Sequence, residues 1–199
     1  MKRNKADLTA FSDLSTEELE QELAREIQKV RLRSVLRSTV FALVVAAAVS
    51  VLLASLLLPV LRIYGTSMSP TVEAGDIVVA LKKAEYQPGD VVALYYENRV
   101  LVKRIIACAF DTVQIDPDGA VTVNGARLDE PYLTELHYGE STDLSFPCQV
   151  PETSYFVCGD NRRESVDSRS AAVGCIPTGH IVGKILFVVW PLNRFGPLR

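Results

Sequence analysis

The chain has 199 residues, a formal net charge of −3 and an apolar content of 48%, which suits one domain plus a membrane segment. A slightly acidic chain without a basic stripe is not expected to bind nucleic acid. Four cysteines without a CxxC spacing and only two histidines argue against a zinc site, and no motif indicates another metal or a cofactor.

Residues 1–37 form the first predicted region. Residues 1–14 are polar and are expected to lack regular structure, and Ser15 and Glu18 have the spacing of a helix capping box. Apolar residues then recur every three or four positions, which is the period of one helix face; these are Leu19, Leu23, Ile27 and Val30. An amphipathic helix is predicted, in solvent or on a membrane surface, with continuation into the next region or pairing with a partner as alternatives.

Residues 38–61 contain no charged side chain and consist mostly of Val, Ala and Leu. A helix needs about 20 residues to cross the apolar core of a bilayer. A buried core helix is usually shorter, and a cleaved secretion signal has an apolar region of about 7–15 residues near the N-terminus. This segment is therefore predicted to be an uncleaved transmembrane anchor.

Basic residues are concentrated before this segment. Between residues 25 and 37 a single acid, Glu26, accompanies five basic side chains: Arg25, Lys29, Arg31, Arg33 and Arg37. Since basic flanks stay in the cytoplasm, the sequence predicts a single-pass protein of the plasma membrane. Residues 1–37 would then be cytoplasmic and residues 62–199 extracytoplasmic.

Residues 62–199 show short runs rich in Val, Ile and Tyr, separated by Gly, Pro, Asp and Asn. Such a pattern predicts a mainly β domain, an antiparallel sheet, sandwich or barrel. The predicted strands are 76–81, 90–96, 100–107, 112–115, 120–123, 155–158 and 181–190. A hairpin is predicted at 116–125 with Val121 and Val123 on one face, whereas 130–151 is expected to be a surface insertion.

All four cysteines lie in this second part of the chain: Cys108, Cys148, Cys158 and Cys175. Disulfides persist outside the cytoplasm, so one or two bridges are possible, and free buried thiols are the alternative. The spacing does not choose among the three full pairings.

Three clusters carry candidate chemistry. In the first, Ser67 lies between Gly65 and Pro70, whose backbone preferences fit a tight turn that presents the hydroxyl. In the second, Lys103 interrupts the apolar run 100–106, where burial would lower the lysine pKa well below about 10.4 and make it a base. An ordinary turn serine and a cation on an edge strand are the alternatives.

The third cluster is the polar stretch 159–169, Gly-Asp-Asn-Arg-Arg-Glu-Ser-Val-Asp-Ser-Arg, directly after a predicted apolar strand. Side chains of these types form ion-paired loops that brace a site. A solvated surface loop is the alternative.

Together these motifs resemble type I signal peptidases, membrane-bound serine/lysine proteases. Ser-Met-Ser-Pro-Thr at 67–71 resembles the nucleophile motif, and Gly-Asp-Ile-Val-Val at 75–79 the strand that follows it. Lys-Arg-Ile-Ile at 103–106 resembles the general-base motif, and 159–169 the last motif. The resemblance implies a signal-peptidase-like β domain and a serine endopeptidase.

The resemblance also implies roles for individual residues. Ser67 would attack the scissile carbonyl and Lys103 would accept its proton. Ser165 would orient the lysine, while an ion pair between Asp167 and Arg169 would support the loop. The Ser67 N–H would meet the oxyanion, and the family's second donor position falls on Gly65, which has no hydroxyl.

Substrates of the family bind as extended strands with small residues, often Ala-x-Ala, before the cut. By this analogy apolar side chains would form shallow pockets: Ile63, Met68, Val72, Leu101 and Val102. The implied partners are signal-peptide-bearing pre-proteins, the lipid bilayer and a secretion translocon, and no cofactor is implied.

Two departures and two alternatives remain. After the lysine motif the family usually continues with Gly and then Pro-Gly-Asp, but residues 107–111 here are Ala-Cys-Ala-Phe-Asp, and a bridge between Cys158 and Cys175 would staple the last motif. A self-cleaving Ser/Lys repressor is disfavoured because no DNA-binding head is evident. A membrane-tethered β domain that only binds a partner is the other alternative.

Overall fold

The computed structural model describes residues 16–82 and 85–198. Residues 1–14 and Ser15, the first half of the predicted capping box, lie outside the described residues. The described chain begins with one continuous helix, α1 (Thr16–Leu57), so the amphipathic segment and the apolar segment join without a break. Among the described helices, α1 alone is long and apolar enough to cross a membrane, over Leu23–Leu57.

The helix ends at Leu57, two residues before Pro59, whose ring and missing N–H disfavour further helix. Strand β1 (Val60–Arg62) follows and pairs antiparallel with β2 (Ile77–Leu81), Leu61 opposite Val78. The predicted boundary after Leu61 therefore falls inside a strand, and the β part begins at residue 60.

Antiparallel strands make up the rest of the fold. The further strands are β3 (Val91–Tyr96), β4 (Arg99–Ala107), β5 (Thr112–Ile115), β6 (Val121–Val123), β7 (Ala126–Arg127), β8 (Cys148–Gln149), β9 (Ser154–Cys158), β10 (Ile176–Pro177), β11 (Ile181–Trp190) and β12 (Gly196–Pro197). Two 3-10 helices lie at Thr178–His180 and Leu192–Arg194. The predicted mainly β, antiparallel fold is confirmed.

The strands form two sheets in the described chain. The larger has the order β1-β2-β11-β3-β4-β9-β10, with β12 also paired to β11, and the smaller has the order β7-β6-β5-β8. All seven predicted strands are present, with ends that differ by one residue or less. The strands that were not predicted have two or three residues, which is too short for an alternating pattern to show.

Three apolar clusters form the core. One packs Ile63, Met68 and Val72 against β2 and β11, and so holds the segment that contains Ser67. Another packs the β5–β6 hairpin against β9, with Val121 buried and Val123 packed against the same cluster, as predicted. The core thus supports both the serine segment and the strand that precedes the 159–169 loop.

Asp111 stabilises the turn after β4, and it is the one residue of 107–111 that matches the family pattern. Asp111 accepts hydrogen bonds from the N–H of Cys108 at 2.8 Å and from Asn124 Nδ2 at 2.7 Å. A carboxylate that accepts from its own turn and from the neighbouring hairpin closes this turn in place of the Pro-Gly pair.

Candidate active site

Ser67 lies in the loop that connects β1 and β2. Its neighbour Met68 is buried and anchors this loop in the core, while Ser67 is half-buried. Gly65 has a φ of +90°, a conformation that L side chains rarely adopt. The carbonyl of Ser67 accepts a hydrogen bond from the N–H of Asn161 at 3.1 Å, so the serine loop and the 159–169 loop are joined.

Lys103 and Arg104 lie in the interior of the larger sheet. Strand β4 runs between β3 and β9, with Lys103 opposite Val92 and Arg104 opposite Cys158. Both cations are only 3% exposed, so an edge-strand role for the lysine is wrong. The alternation of the strand sends the two side chains to opposite faces, where they meet different partners.

Arg104 is fully paired. Its Nε and Nη2 donate to the two carboxylate oxygens of Asp160 at 2.9 and 2.7 Å, and its Nη1 donates to the carbonyl of Gly89 at 2.8 Å. Bidentate pairing of a guanidinium with a carboxylate fixes both groups in one geometry. This pair holds the first part of the 159–169 loop against β4.

We expect Asp160→Asn to lower the free energy of unfolding by about 3–5 kcal/mol, because it leaves the Arg104 charge buried without its partner. Urea unfolding followed by the fluorescence of Trp190, the single tryptophan, measures the change. Glu140→Gln is the matched control, since Glu140 pairs with Arg163 at 3.6 Å on the surface, where such pairs contribute about 0–1 kcal/mol. Equal losses for the two variants would contradict this prediction.

Lys103 has a different environment. Within the described residues it forms no salt bridge, and its Nζ donates to Ser165 Oγ at 2.9 Å. Burial lowers the pKa of Lys103, while the nearby charge of Asp167 acts in the opposite direction. The lysine is therefore held by a hydroxyl and poised to lose its proton at a lower pH than a solvated lysine.

Most of the polar side chains of the 159–169 loop are buried, among them Ser165, Asp167 and Arg169, so the solvated-loop alternative is wrong. Arg169 donates to Asp167 from Nε at 2.8 Å and from Nη2 at 2.9 Å, and both side chains are almost fully inaccessible. Although burial opposes ionisation, hydrogen bonds from Arg169, Ser165 and the Gly159 N–H lower the pKa of Asp167. The carboxylate thus organises the loop around Ser165.

Gly159 is the point at which the serine loop and the 159–169 loop touch. A Cβ at this position would lie 2.3 Å from Ser165 Oγ and 2.4 Å from the carbonyl oxygen of Ser67. Its N–H donates to Asp167 Oδ2 at 2.9 Å, and its carbonyl accepts from Arg162 Nε at 3.0 Å. Both polar groups of this residue are therefore fixed, and no side chain fits.

The structure brings the predicted catalytic residues together through these contacts. Ser67, Gly159, Ser165 and Lys103 form a contiguous set. Among the hydrogen bonds of the described residues, however, the lysine donates to Ser165 and not to Ser67. Catalytic hydrogen bonds commonly tighten only when substrate is bound.

An apolar cleft of about 600 Å³ opens beside Ser67. Four of the five predicted pocket residues line it: Ile63, Met68, Leu101 and Val102. Val72 does not, because it is fully buried in the core beneath the serine loop. Arg62 and Arg99 also line the cleft, and these cations were not expected there because the predicted pockets contained apolar side chains only.

The four cysteines are free thiols, and the suggested Cys158–Cys175 bridge is not formed. Burial raises the pKa of Cys158 to about 12, which keeps this thiol protonated and unreactive. Burial and contact with Cys148 raise the pKa of Cys175 to about 12. Cys175 thus meets Cys148, a neighbour that sequence spacing did not single out.

Comparison with known proteins identifies the family of this chain. The model of the family described as "Signal peptidase, peptidase S26" matches residues 34–190. A signal peptidase I of Bacillus licheniformis is 34% identical over 155 residues, covering 72% of this chain and 82% of that protein. Signal peptidase I S of Bacillus subtilis (strain 168) is 36% identical over 141 residues, covering 65% and 76%.

Among solved structures, a crystal structure of a signal peptidase I from Enterococcus faecalis V583 matches at 28% identity. The match covers 52% of this chain and 98% of the Enterococcus faecalis chain, with a TM-score of 0.44. The family model spans most of the present sequence, including all three motif clusters. The chain therefore belongs to the signal peptidase family, peptidase S26, and is a serine endopeptidase.

Proposed function

We propose that this protein removes N-terminal signal peptides from exported pre-proteins with a Ser67–Lys103 dyad. One observation carries the proposal: Lys103 is buried close to the serine loop and held by Ser165 Oγ at 2.9 Å, and it forms no salt bridge among the described residues. A purely structural cation in such a place would be expected to have a counter-ion, as Arg104 does. Membership of an enzyme family favours this function over a tethered binding domain.

In the proposed reaction, neutral Lys103 takes the hydroxyl proton of Ser67 as Oγ attacks the scissile carbonyl. The resulting oxyanion accepts a hydrogen bond from the Ser67 N–H. Lys103 then protonates the leaving amine, and water hydrolyses the acyl-enzyme. Thr66 Oγ1 is engaged with Glu164 Oε2 at 2.9 Å, so a backbone group near Gly65 or a water supplies the second donor.

The cleft supports a preference for small residues before the cut, of the Ala-x-Ala type. Its apolar walls at Ile63, Leu101 and Val102 are held by the sheet and the core. A rigid apolar pocket discriminates by excluding bulk, since each misplaced methylene is worth about 1–3 kcal/mol.

We further propose that α1 anchors the protein in the plasma membrane, with 1–37 in the cytoplasm and the β part outside. The apolar length of the helix and the basic residues before position 38 support this orientation. A signal peptide in the same bilayer then meets the site at a high effective concentration. The lipid bilayer and a secretion translocon are the proposed partners besides the pre-protein.

The test is cleavage of a signal-peptide-bearing precursor by the full-length chain in lipid vesicles. We expect cleavage at one site, after a small residue, which gives the signal peptide and the shortened protein, and no cleavage when that residue is replaced by phenylalanine. A precursor that stays intact with the wild-type chain would overturn the proposed function. Cleavage that ignores the phenylalanine replacement would overturn the specificity alone.

The value of kcat/KM should increase with pH around the pKa of Lys103, since the neutral amine is the form that accepts the proton. Asp167 holds that pKa up and Arg169 holds it down. We therefore expect Asp167→Asn to move the acidic limb to lower pH, because it removes the anion and leaves the Arg169 charge unpaired. The plateau should also fall as the loop loses its support.

Rates of precursor cleavage measured across the pH range give both the position of the acidic limb and the height of the plateau. His137→Gln and His180→Gln should leave the acidic limb in place. A limb that follows either histidine variant, or that moves to higher pH in Asp167→Asn, would contradict the assignment of Lys103 as the base.

A further inference from the structure

Residues 130–151, expected to be a surface insertion, contain strand β8 and pack against the 159–169 loop. The carbonyl of Tyr138 accepts a hydrogen bond from Arg169 Nη1 at 2.9 Å, and the N–H of Leu144 donates to the carbonyl of Arg169 at 3.0 Å. Asp143 Oδ1 accepts from the N–H of Ala171 at 2.6 Å. This segment therefore supports the part of the molecule that carries Ser165.

The most buried of these contacts is an ion pair between Glu130 and Arg162. Arg162 Nη2 lies 2.5 Å from Glu130 Oε1 and Nη1 lies 3.3 Å from Oε2, and the two side chains are 3% and 1% exposed. Removing two charges from water offsets most of their attraction, so such a pair adds little net stability. Its contribution lies in geometry, since a bidentate pair has one arrangement.

Arg162 transmits that geometry to the centre of the site. Its Nε donates to the carbonyl of Gly159 at 3.0 Å, and Gly159 is the residue pressed between Ser165 Oγ and the Ser67 carbonyl. One guanidinium thus connects the Glu130 carboxylate to the backbone that separates the serine loop from Ser165.

Tyr132 fixes the carboxylate from the other side. Its hydroxyl donates to Glu130 Oε1 at 2.7 Å, and its ring centroid lies 3.8 Å from Arg104 Cζ, a cation–π contact. Burial and the neighbouring Glu130 carboxylate raise the pKa of Tyr132, so the hydroxyl remains a donor. The carboxylate is thus held by two donors and cannot rotate freely.

Resting on the function proposed above, we infer that Glu130 is a positioning residue for peptide cleavage. Together with Tyr132 and Arg162 it sets the place of the Gly159 backbone, and thereby the distance between Ser67 and the Ser165–Lys103 pair. Glu130 and Tyr132 then act on the active site through Arg162 and Gly159.

Glu130→Gln tests this inference in the full-length chain in vesicles. The amide keeps the shape of the side chain but removes the negative charge opposite Arg162, and it puts an NH2 donor in place of the oxygen to which Arg162 Nη1 donates at 3.3 Å. We expect kcat to fall by up to about 100-fold, because a displacement of about 1 Å between the reacting groups can slow a reaction by that factor. KM should change little, because the cleft residues are elsewhere. Glu140→Gln, which breaks the exposed pair with Arg163, should leave both constants unchanged.

A double variant separates positioning from stability. Glu130→Gln with Arg162→Met removes both buried charges, so the thermal midpoint should recover relative to Glu130→Gln alone, while kcat stays low because Gly159 has lost its donor. Recovery of kcat together with the midpoint would overturn the inference, as would a wild-type kcat in Glu130→Gln. If that variant does not fold, Tyr132→Phe replaces it, and we expect a reduced kcat at a nearly wild-type midpoint; an unchanged kcat overturns the inference.

A second measurement is independent of the pre-protein. Acyl transfer from an activated p-nitrophenyl ester to Ser67, followed by intact mass, reports on the serine and its base alone. Slower acylation in Glu130→Gln than in Glu140→Gln supports positioning even if the precursor is not cleaved, in which case only the proposed function fails. Equal acylation rates in the two variants overturn the inference even if the precursor is cleaved.

Discussion

Lys103→Met is expected to abolish measurable precursor cleavage and, at the same time, to raise the stability of the protein. General-base catalysis contributes about 10²–10⁴-fold to a rate, and methionine has no group that accepts a proton. Ser67→Ala, which removes the nucleophile, should be equally inactive. Single-turnover cleavage by the two full-length variants in vesicles measures the loss of activity in each.

The gain in stability follows from the sign of the lysine's pKa shift. The pKa of Lys103 is lower in the folded protein than in a solvated chain, where it is about 10.4. At neutral pH folding must therefore strip this ammonium of water or of its proton, and that penalty disappears only as pH rises past the unfolded value. Methionine fills a similar volume without the penalty, so the free energy of unfolding at pH 7 should increase.

Lys184→Met is the matched control for this prediction. Lys184 lies on β11, is partly exposed and pairs with Asp90, so its replacement should reduce stability slightly and leave cleavage intact. Cleavage by Lys103→Met at the wild-type rate would exclude the lysine as the general base. A Lys103→Met variant less stable than Lys184→Met would instead contradict the burial argument.

Gly159→Ala is expected to have the second large effect. The added Cβ would lie 2.3 Å from Ser165 Oγ and 2.4 Å from the Ser67 carbonyl oxygen, far inside contact distance. Since the Gly159 N–H and carbonyl are both hydrogen-bonded, the strain must separate Ser165 from the serine loop. We expect kcat to fall by about 100-fold and the free energy of unfolding by about 1–3 kcal/mol.

Gly179→Ala is the control for the glycine. It lies in the 3-10 helix Thr178–His180, and no atom lies within 4 Å of its would-be Cβ. This variant should match the wild type in cleavage rate and thermal midpoint. A Gly159→Ala enzyme with normal kcat would show that the contact between the serine loop and Ser165 is not needed for the reaction.

The longer strands were predictable from the sequence because each is a run rich in Val, Ile or Tyr that is bounded by Gly, Pro, Asp or Asn. The helix could also be predicted, but its end was placed too late, because Val60 and Leu61 are as apolar as the anchor and the stop signal of Pro59 was not used. Only pairing with β2 assigns them to the sheet. In the same way Val72 is apolar and near Ser67, but the fold buries it beneath the cleft instead of in its wall.

Ser67 and Lys103 show which features of the site follow from the sequence and which follow from the tertiary structure. The order of the motifs was sufficient to identify the family, because each motif is a local string of residues. The sequence did not determine whether Lys103 or Arg104 would face a carboxylate, since strand alternation only places them on opposite faces. The antiparallel neighbour β9 and the loop after it decide this, and they bring Asp160 to Arg104 and Ser165 to Lys103.

Contacts between distant segments account for the remaining differences. Cys175 interacts with Cys148, and Glu130 reaches Arg162 across 32 positions of sequence. Local patterning determined the strands, the membrane-length helix and the three motifs, because those depend on residues within one element. The tertiary structure alone decided the hydrogen-bond partner of Lys103 and the lowering of its pKa, because burial and nearby charges are set by which elements pack together.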